Sequence, residues 1–146
     1  MQPRMEVLPF LHIRSAGLRM LPGEDQELVN EGTYGKACAL YLQAQLTARG
    51  YAVPFFTCED WGWWVEILGL GRVCGIGIYG RTIDDSDDLD LCVTVLTPLA
   101  SRWPWFGARA QESSSEIARL QERLRMIFEE DPDISILGES SQFPLG

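Results

Sequence analysis

Residues 57–80 have the sequence TCEDWGWWVEILGLGRVCGIGIYG. The alternation of large apolar residues with their neighbours in this stretch decides the fold class. In Gly62–Leu68, the side chains of Trp63, Val65 and Ile67 would point to one side of a β-strand and the intervening ones to the other. The glycines of LGLGR suit a tight connection to a second run, Arg72–Tyr79. We therefore predict two adjacent strands here.

Segments with strand or helix character lie on both sides of this pair. Strand character is found in residues 5–14, Tyr51–Thr57, Asp90–Thr97 and Ile134–Leu137. Apolar residues recur at helical spacing in Thr33–Arg49 and again after Ser113. We expect Thr33 and Gly50 to cap the first helix, and Ser113 with Glu116 to form a capping box on the second.

The order β-α-β-β-β-β-α-β predicts an α+β protein rather than a doubly wound parallel sheet, which needs regular alternation of strand and helix. We predict a two-layer sandwich, with an antiparallel or mixed sheet of about five to six strands and two helices on one face. Residues 1–146 are predicted to form a single α+β domain, because no linker or internal repeat divides them.

Charge and composition remove several classes of function. The chain has 146 residues, 46% of them hydrophobic, and a formal net charge of −9 with Lys36 as its only lysine. No concentrated basic patch is present, so nucleic acid and anionic membrane are disfavoured as partners. No segment has the apolar length of a membrane span or the pattern of a signal peptide, so we expect a cytoplasmic location.

The cysteines and acidic residues do not form a recognisable metal or cofactor motif. Four cysteines without a Cys-x-x-Cys pair, together with the single histidine His12, favour buried, reduced thiols over a zinc site. The acidic run Asp84–Asp90 lacks the glycine and glutamate of an EF-hand, which leaves weak cation binding as an alternative to a solvated loop. We predict neither a metal nor a cofactor.

The glycines Gly75, Gly77 and Gly80 match the Gly-x-Gly-x-x-Gly pattern of dinucleotide-binding folds. That pattern normally closes a strand and opens a helix, whereas here the glycines lie inside strand-like sequence and no helix follows. We predict instead that they keep one sheet face flat, so that large rings, Trp63 among them, approach the backbone closely.

Catalytic signatures are weak. Nucleophilic catalysis would need His12 as its base, and no nucleophile elbow supports Ser15 or a cysteine as its partner. Glu59 and Asp60 are the best carboxylates for acid–base work, yet neighbours in an extended segment project to opposite sides. We therefore favour a protein without catalytic activity.

Two aromatic clusters are candidate binding surfaces. In EDWGWW, Trp61 and Trp63 either anchor the first helix on the sheet or form, with the two acids, an exposed recognition surface. In RWPWFG, the residues from Arg102 to Gly107 either cover the core or present a binding edge.

The segments NEGTYGKACALYLQAQLTARGYAV and EDWGWWVEI resemble a family of small bacterial proteins with no assigned activity. Its members share an Asn-Glu-x-x-Tyr-Gly helix start and an Asp-Trp-Gly-Trp strand. The matching positions here are Asn30, Glu31, Tyr34, Gly35, Asp60, Trp61, Gly62 and Trp63. We expect these two motifs to meet where the first helix begins.

These features favour an acidic protein-binding module with an aromatic face, of which an immunity or inhibitor protein that neutralises a toxin is one form. The alternative is a small-molecule binder or small enzyme with a pocket near Asp60, Trp61 and Glu31. The candidate binding residues are Asn30, Glu31, Tyr34, Glu59, Asp60, Trp61, Trp63, Arg102, Trp103 and Trp105.

Overall fold

A computed structural model of the chain describes residues 5–7, 9–70, 73–84, 86, 88–98 and 106–141. The strands are β1 (Met5–Val7), β2 (Phe10–Ser15), β3 (Phe56–Cys58), β4 (Trp63–Ile67), β5 (Cys74–Thr82), β6 (Leu89–Pro98) and β7 (Ile134–Ser140). The helices are α1 (Lys36–Ala48) and α2 (Phe106–Glu130), and Glu24–Gln26 form a 3-10 turn. Neither helix combines the length and apolar character that a bilayer span requires, as far as their residues are described.

The strands form one antiparallel sheet in the order β3-β4-β5-β6-β2-β7. The short β1 pairs with the far end of β6, on the same side as β2, so β1 and β2 act as one interrupted strand. The predicted α+β fold with two helices is confirmed. Strand β2 lies inside the sheet between β6 and β7, although proline, which precedes it as Pro9, is typical of edge strands.

Both helices pack against one face of the sheet, and that face carries the core. Alternate residues of β4, β5, β6 and β2 are buried there with the apolar residues of α1 and α2. The strands contribute Leu11, Ile13, Trp63, Val65, Ile67, Ile76, Ile78, Leu91, Val93 and Val95, and the helices contribute Cys38, Leu42, Leu46, Ile117, Leu120, Leu124 and Phe128. The other face of the sheet carries the aromatic residues described below.

The interruption between β1 and β2 is filled by a side chain from α2. At this point the main-chain N–H of Val95 in β6 donates to Oε1 of Gln121 at 3.1 Å. Nε2 of the same amide donates to the carbonyl oxygen of Pro9 at 2.7 Å. Gln121 therefore completes the hydrogen bonding of the sheet where Pro9, which has no N–H, interrupts it.

The start of α1 is capped by a remote carboxylate rather than by Thr33. The N-cap residue is Gly35, and no side chain at that position makes a cap bond. Oε2 of the buried Glu24 accepts the N–H of Gly35 at 2.8 Å and that of Lys36 at 3.0 Å, and Oε1 accepts the N–H of Leu21 at 3.0 Å. Thr33 instead donates its hydroxyl hydrogen to the Asn30 carbonyl at 2.7 Å. At the other end of α1, Gly50 has φ +92°, as its predicted role requires.

Two further expectations need correction. Helix α2 begins at Phe106, so Ser113 lies inside it and cannot form the predicted capping box. The three glycines lie within β5 as predicted, but the rings that approach them belong to other tryptophans. A Cβ on Gly75 would overlap the ring of Trp64, and one on Gly77 would meet Leu96 and Trp61.

Candidate functional site

The two motifs that carry the family resemblance lie against each other. Asn30 Nδ2 donates to the main-chain oxygen of Asp60 at 2.6 Å, and Trp63 Nε1 donates to the carbonyl of Thr33 at 3.0 Å. Tyr34 continues the contact through an antiparallel bridge to Gly80 in β5. The segment before α1 is therefore held on the start of β4 and the middle of the sheet, where the two motifs were expected to meet.

Glycines make this close contact possible. A Cβ on Gly80 would overlap the carbonyl of Tyr34, and one on Gly62 would overlap the carbonyl of Ile78. Gly80 belongs to the dinucleotide-like pattern, and its role here is to let a neighbouring main chain approach. The pattern therefore serves the packing of this corner of the fold.

A recess of about 360 Å³ opens beside this contact, on the sheet face opposite the helices. Its walls are three aromatic side chains, the main chain before α1 and one arginine: Phe10, Gly32, Thr33, Trp61, Tyr79, Gly80 and Arg81. The ring centroids of Trp61 and Tyr79 lie 5.2 Å apart at 40°, and those of Phe10 and Tyr79 lie 5.9 Å apart at 70°. Burial raises the pKa of Tyr79, so its phenol stays neutral.

Trp61 differs from the other two described tryptophans in its hydrogen bonding. The Trp63 indole N–H is bound to Thr33, and the Trp64 indole N–H donates to Glu66 Oε1 at 2.6 Å. The indole N–H of Trp61 donates to no group in the described part of the chain. A half-buried ring with a free donor is suited to contact a ligand, because a bound acceptor satisfies the N–H and displaces water from the ring.

The predicted acids are close in sequence to residues that line the recess but do not line it themselves. Asp60 is exposed and precedes Trp61, and Glu31 is exposed and precedes Gly32. Glu59 is half-buried, and its main-chain N–H donates to the Gly62 carbonyl at 2.7 Å. Among the described residues that line the recess there is no carboxylate, imidazole or thiol. The arrangement therefore offers binding contacts rather than an acid–base or nucleophilic pair.

The remaining predicted residues fall into two groups. Trp63 is only 3% exposed, so its ring anchors α1 on the sheet, as in the structural alternative, and a partner cannot reach its face. Tyr34 also packs against the core. Arg102, Trp103 and Trp105 lie outside the described residues, and their interpretation stays a prediction.

A polar cluster that the sequence does not predict lies on the same sheet face as the recess. His12 Nε2 lies 3.0 Å from Asp90 Oδ1, and Arg14 donates to the same oxygen through Nε at 3.0 Å and through its terminal nitrogen at 2.7 Å. Burial alone would raise the pKa of Asp90, but the hydrogen bonds from Arg14 and His12 outweigh it and lower the pKa. Only the pairing of β2 with β6 brings these residues together, and no local pattern in the sequence encodes that pairing.

A thiol lies next to this cluster but is not activated. Cys92 is the direct cross-strand partner of His12. Burial, with the nearby charge of Asp90, raises the pKa of Cys92 to about 12. A nucleophilic cysteine needs a depressed pKa and access to solvent, and Cys92 is fully buried. The histidine, carboxylate and thiol therefore form a structural group.

No group of three histidine, cysteine, aspartate or glutamate side chains is placed to hold a metal ion among the described residues. Of the acidic loop between β5 and β6, Asp85 and Asp87 lie outside that description. Comparison with models of protein families, with curated proteins and with solved structures found no match. The family resemblance of the two motifs stays a prediction.

Proposed function

We propose that this protein is a non-catalytic, cytoplasmic binding module that recognises a protein partner through the recess at Trp61 and the acidic surface around it. The observation that carries the proposal is the position of Trp61 and the lack of a hydrogen-bond acceptor for its indole N–H among the described residues. Its ring forms one wall of the recess, and its indole N–H has no partner in the described chain. Tryptophan is enriched among the residues that dominate binding energy at protein interfaces.

The surroundings of the recess support a protein partner. A central recess enclosed by a polar rim is the arrangement in which interface side chains bind most tightly. Asp60 and Glu31 are exposed at this rim, and the chain as a whole carries a formal net charge of −9. Such a surface attracts a basic partner and increases its association rate. An immunity or inhibitor protein that neutralises a basic toxin is one concrete form of this function.

A second candidate function is the binding of a small molecule in the same recess. Its volume of about 360 Å³ lies within the range of small-molecule sites, which is roughly 300–1,000 Å³. Three aromatic walls suit a flat ligand. The recess is open and its described lining has no carboxylate, so binding to an interface side chain is favoured over an enclosed reaction chamber.

The test is affinity capture from the source cells with three forms of the protein: wild type, Trp61→Ala and Trp64→Ala. The two variants each remove one half-buried indole from the same end of the sheet, but only Trp61 lines the recess. Circular dichroism first establishes that both are folded. A partner that is retained by wild type and Trp64→Ala is then titrated directly.

We expect Trp61→Ala to lower the affinity for the captured partner by about 30-fold or more, the loss typical of an interface hot spot. Equal affinity for wild type and Trp61→Ala would contradict the proposal. If no protein is captured, and a fluorescence screen finds a small molecule that binds wild type but not Trp61→Ala, the second candidate function replaces the first.

A further inference from the structure

The two edges of the sheet differ in their readiness to accept another strand. At the β7 edge, the pairing with β2 shifts register between His12 and Ile13, so that Leu137 is left as an extra residue. Such a bulge bends an edge and hinders further pairing. The pairing of β3 with β4 has no such shift from Phe56 to Cys58. The β3 edge is therefore the regular one.

The hydrogen bonds of β3 show which of its main-chain groups face outward. The Phe55 carbonyl accepts the Glu66 N–H at 3.0 Å, and Glu59 donates its N–H to the Gly62 carbonyl at 2.7 Å. Because alternate residues of an antiparallel strand bond to the same neighbour, Phe56 and Cys58 direct their N–H and C=O groups away from β4. These four groups bond to nothing in the described chain.

A groove lies alongside these free groups. It has a volume of about 380 Å³, and it runs between the β3 edge and the start of α1, with Glu27, Lys36, Phe56, Thr57, Cys58 and Trp63 as its lining. The neighbouring part of the edge is already covered, since Gln43 of α1 donates to the Val53 carbonyl at 3.1 Å. Among the described residues, no such bond covers the outward groups of Phe56 and Cys58, beside which an added strand would lie about 4.8 Å from β3.

The charges of the groove indicate the kind of strand it would accept. Lys36 Nζ is held by both oxygens of Glu27, at 2.6 and 2.7 Å, so the single cation of the groove is already paired among the described residues. The Glu27 side chain is 46% exposed, and the chain as a whole carries a formal net charge of −9. A residue directly opposite Phe56 or Cys58 would direct its side chain to the helix side of the sheet, into this groove. An arginine or lysine there meets complementary charge.

We propose that the groove beside β3 binds an extended basic segment of another polypeptide, which adds to the sheet as a new edge strand. Main-chain hydrogen bonds to Phe56 and Cys58 hold the segment, and its basic side chains in the groove give selectivity. This surface is separate from the recess at Trp61, which opens on the opposite face of the sheet. It stands or fails independently of the function proposed for that recess.

The test uses the capped peptide acetyl-Thr-Arg-Val-Arg-Val-Arg-Thr-amide and hydrogen exchange of the isotope-labelled protein, followed by NMR. At saturating peptide, we expect the exchange of the Phe56 and Cys58 amides to slow by about tenfold or more, because these N–H groups acquire partners. The Thr57 amide, which faces β4, is expected to change little. The same peptide with glutamate for arginine should bind at least about tenfold more weakly.

Two controls separate strand addition from general attraction to an acidic protein. A peptide with methylated backbone nitrogens keeps its charge but cannot form the ladder, so we expect its affinity to fall by about tenfold or more. Cys58→Pro removes an outward N–H, whereas Cys58→Ala keeps it, so only the proline variant should lose the peptide. Slow exchange of the Trp64 main-chain amide establishes that the proline variant keeps the β3–β4 pair. The methylated peptide tests for strand addition without any change to the protein.

Three results would overturn the proposal: no binding of the arginine peptide, binding without slower exchange at Phe56 and Cys58, or equal binding of its methylated form. None of these results bears on the effect of Trp61→Ala, because that variant tests the recess at Trp61 and not the groove beside β3.

Discussion

Replacing the buried Glu24 tests how the fold holds the start of α1. Its side chain is fully buried, and its two oxygens accept three main-chain N–H groups, from Leu21, Gly35 and Lys36. Leaving a buried donor without an acceptor costs about 1–3 kcal/mol. Three donors give a range of about 3–9 kcal/mol for Glu24→Ala, and we expect the lower end, about 3–5 kcal/mol, because water reaches the partly buried donors.

The isosteric change Glu24→Gln gives a smaller and more specific effect. The amide oxygen can keep the bonds to Gly35 and Lys36, while the amide nitrogen faces the Leu21 N–H as a second donor. One hydrogen bond to a charged group is lost, together with the favourable charge at a helix N-terminus, so we expect a destabilisation of about 2–3 kcal/mol. The neighbouring Asp25 is exposed, and Asp25→Asn removes the same charge as a matched control.

Urea unfolding monitored by tryptophan fluorescence measures the free energy of unfolding of all four proteins. We expect Asp25→Asn to lie within about 0.5 kcal/mol of wild type, as is usual for an exposed position. Hydrogen exchange should also become faster at the Gly35 and Lys36 amides in Glu24→Ala. If Glu24→Gln is as stable as wild type, or if Asp25→Asn is equally destabilised, then Glu24 does not cap α1 as described.

Two further predictions concern the sheet and its thiols. Gln121→Leu leaves the Val95 N–H without an acceptor and should lower the free energy of unfolding by about 2–3 kcal/mol in the same urea assay. A loss of less than about 0.5 kcal/mol would count against the amide bridge. Burial raises the pKa of Cys38 to about 12, and burial with the charge of Asp90 does the same for Cys92. Unfolded thiols ionise near pH 8.5 while these two stay protonated, so stability should be full below that pH and fall towards pH 12, by about 1–2 kcal/mol per thiol at pH 10. An unchanged urea midpoint between pH 7.5 and 10 would contradict this.

The elements with a strong local period could be predicted from the sequence, as could the role of Gly50 at the end of α1, but the cap at the start of α1 could not. The alternation of Trp63, Val65 and Ile67 predicted β4, and helical spacing predicted α1 to within three residues at its start. The error at Thr33 has a physical cause. The acceptor that replaces a local cap comes from Glu24, which precedes Gly35 by 11 residues, beyond the reach of any local capping pattern.

The candidate site could be predicted in part. The contact of Asn30 with Asp60 follows from the two motifs that share the family resemblance, and Trp61 was among the predicted binding residues. Phe10, Tyr79 and Arg81 were not, because they reach the recess through the pairing of distant strands. Because successive side chains of β4 point to opposite faces of the sheet, the ring of Trp63 lies in the core and that of Trp64 covers Gly75 on the other face.

The position of β2 in the sheet also sets an order of assembly during synthesis. Strands β3, β4, β5 and β6 follow one another along the chain and pair in that sequence, so they can form as they leave the ribosome. Strand β2 is made before all of them, yet its two neighbours are β6 and β7. Its apolar residues Leu11 and Ile13 therefore remain without sheet partners until much of the chain has emerged. In this interval the strand is open to pairing with another molecule, so crowding of nascent chains favours aggregation over folding.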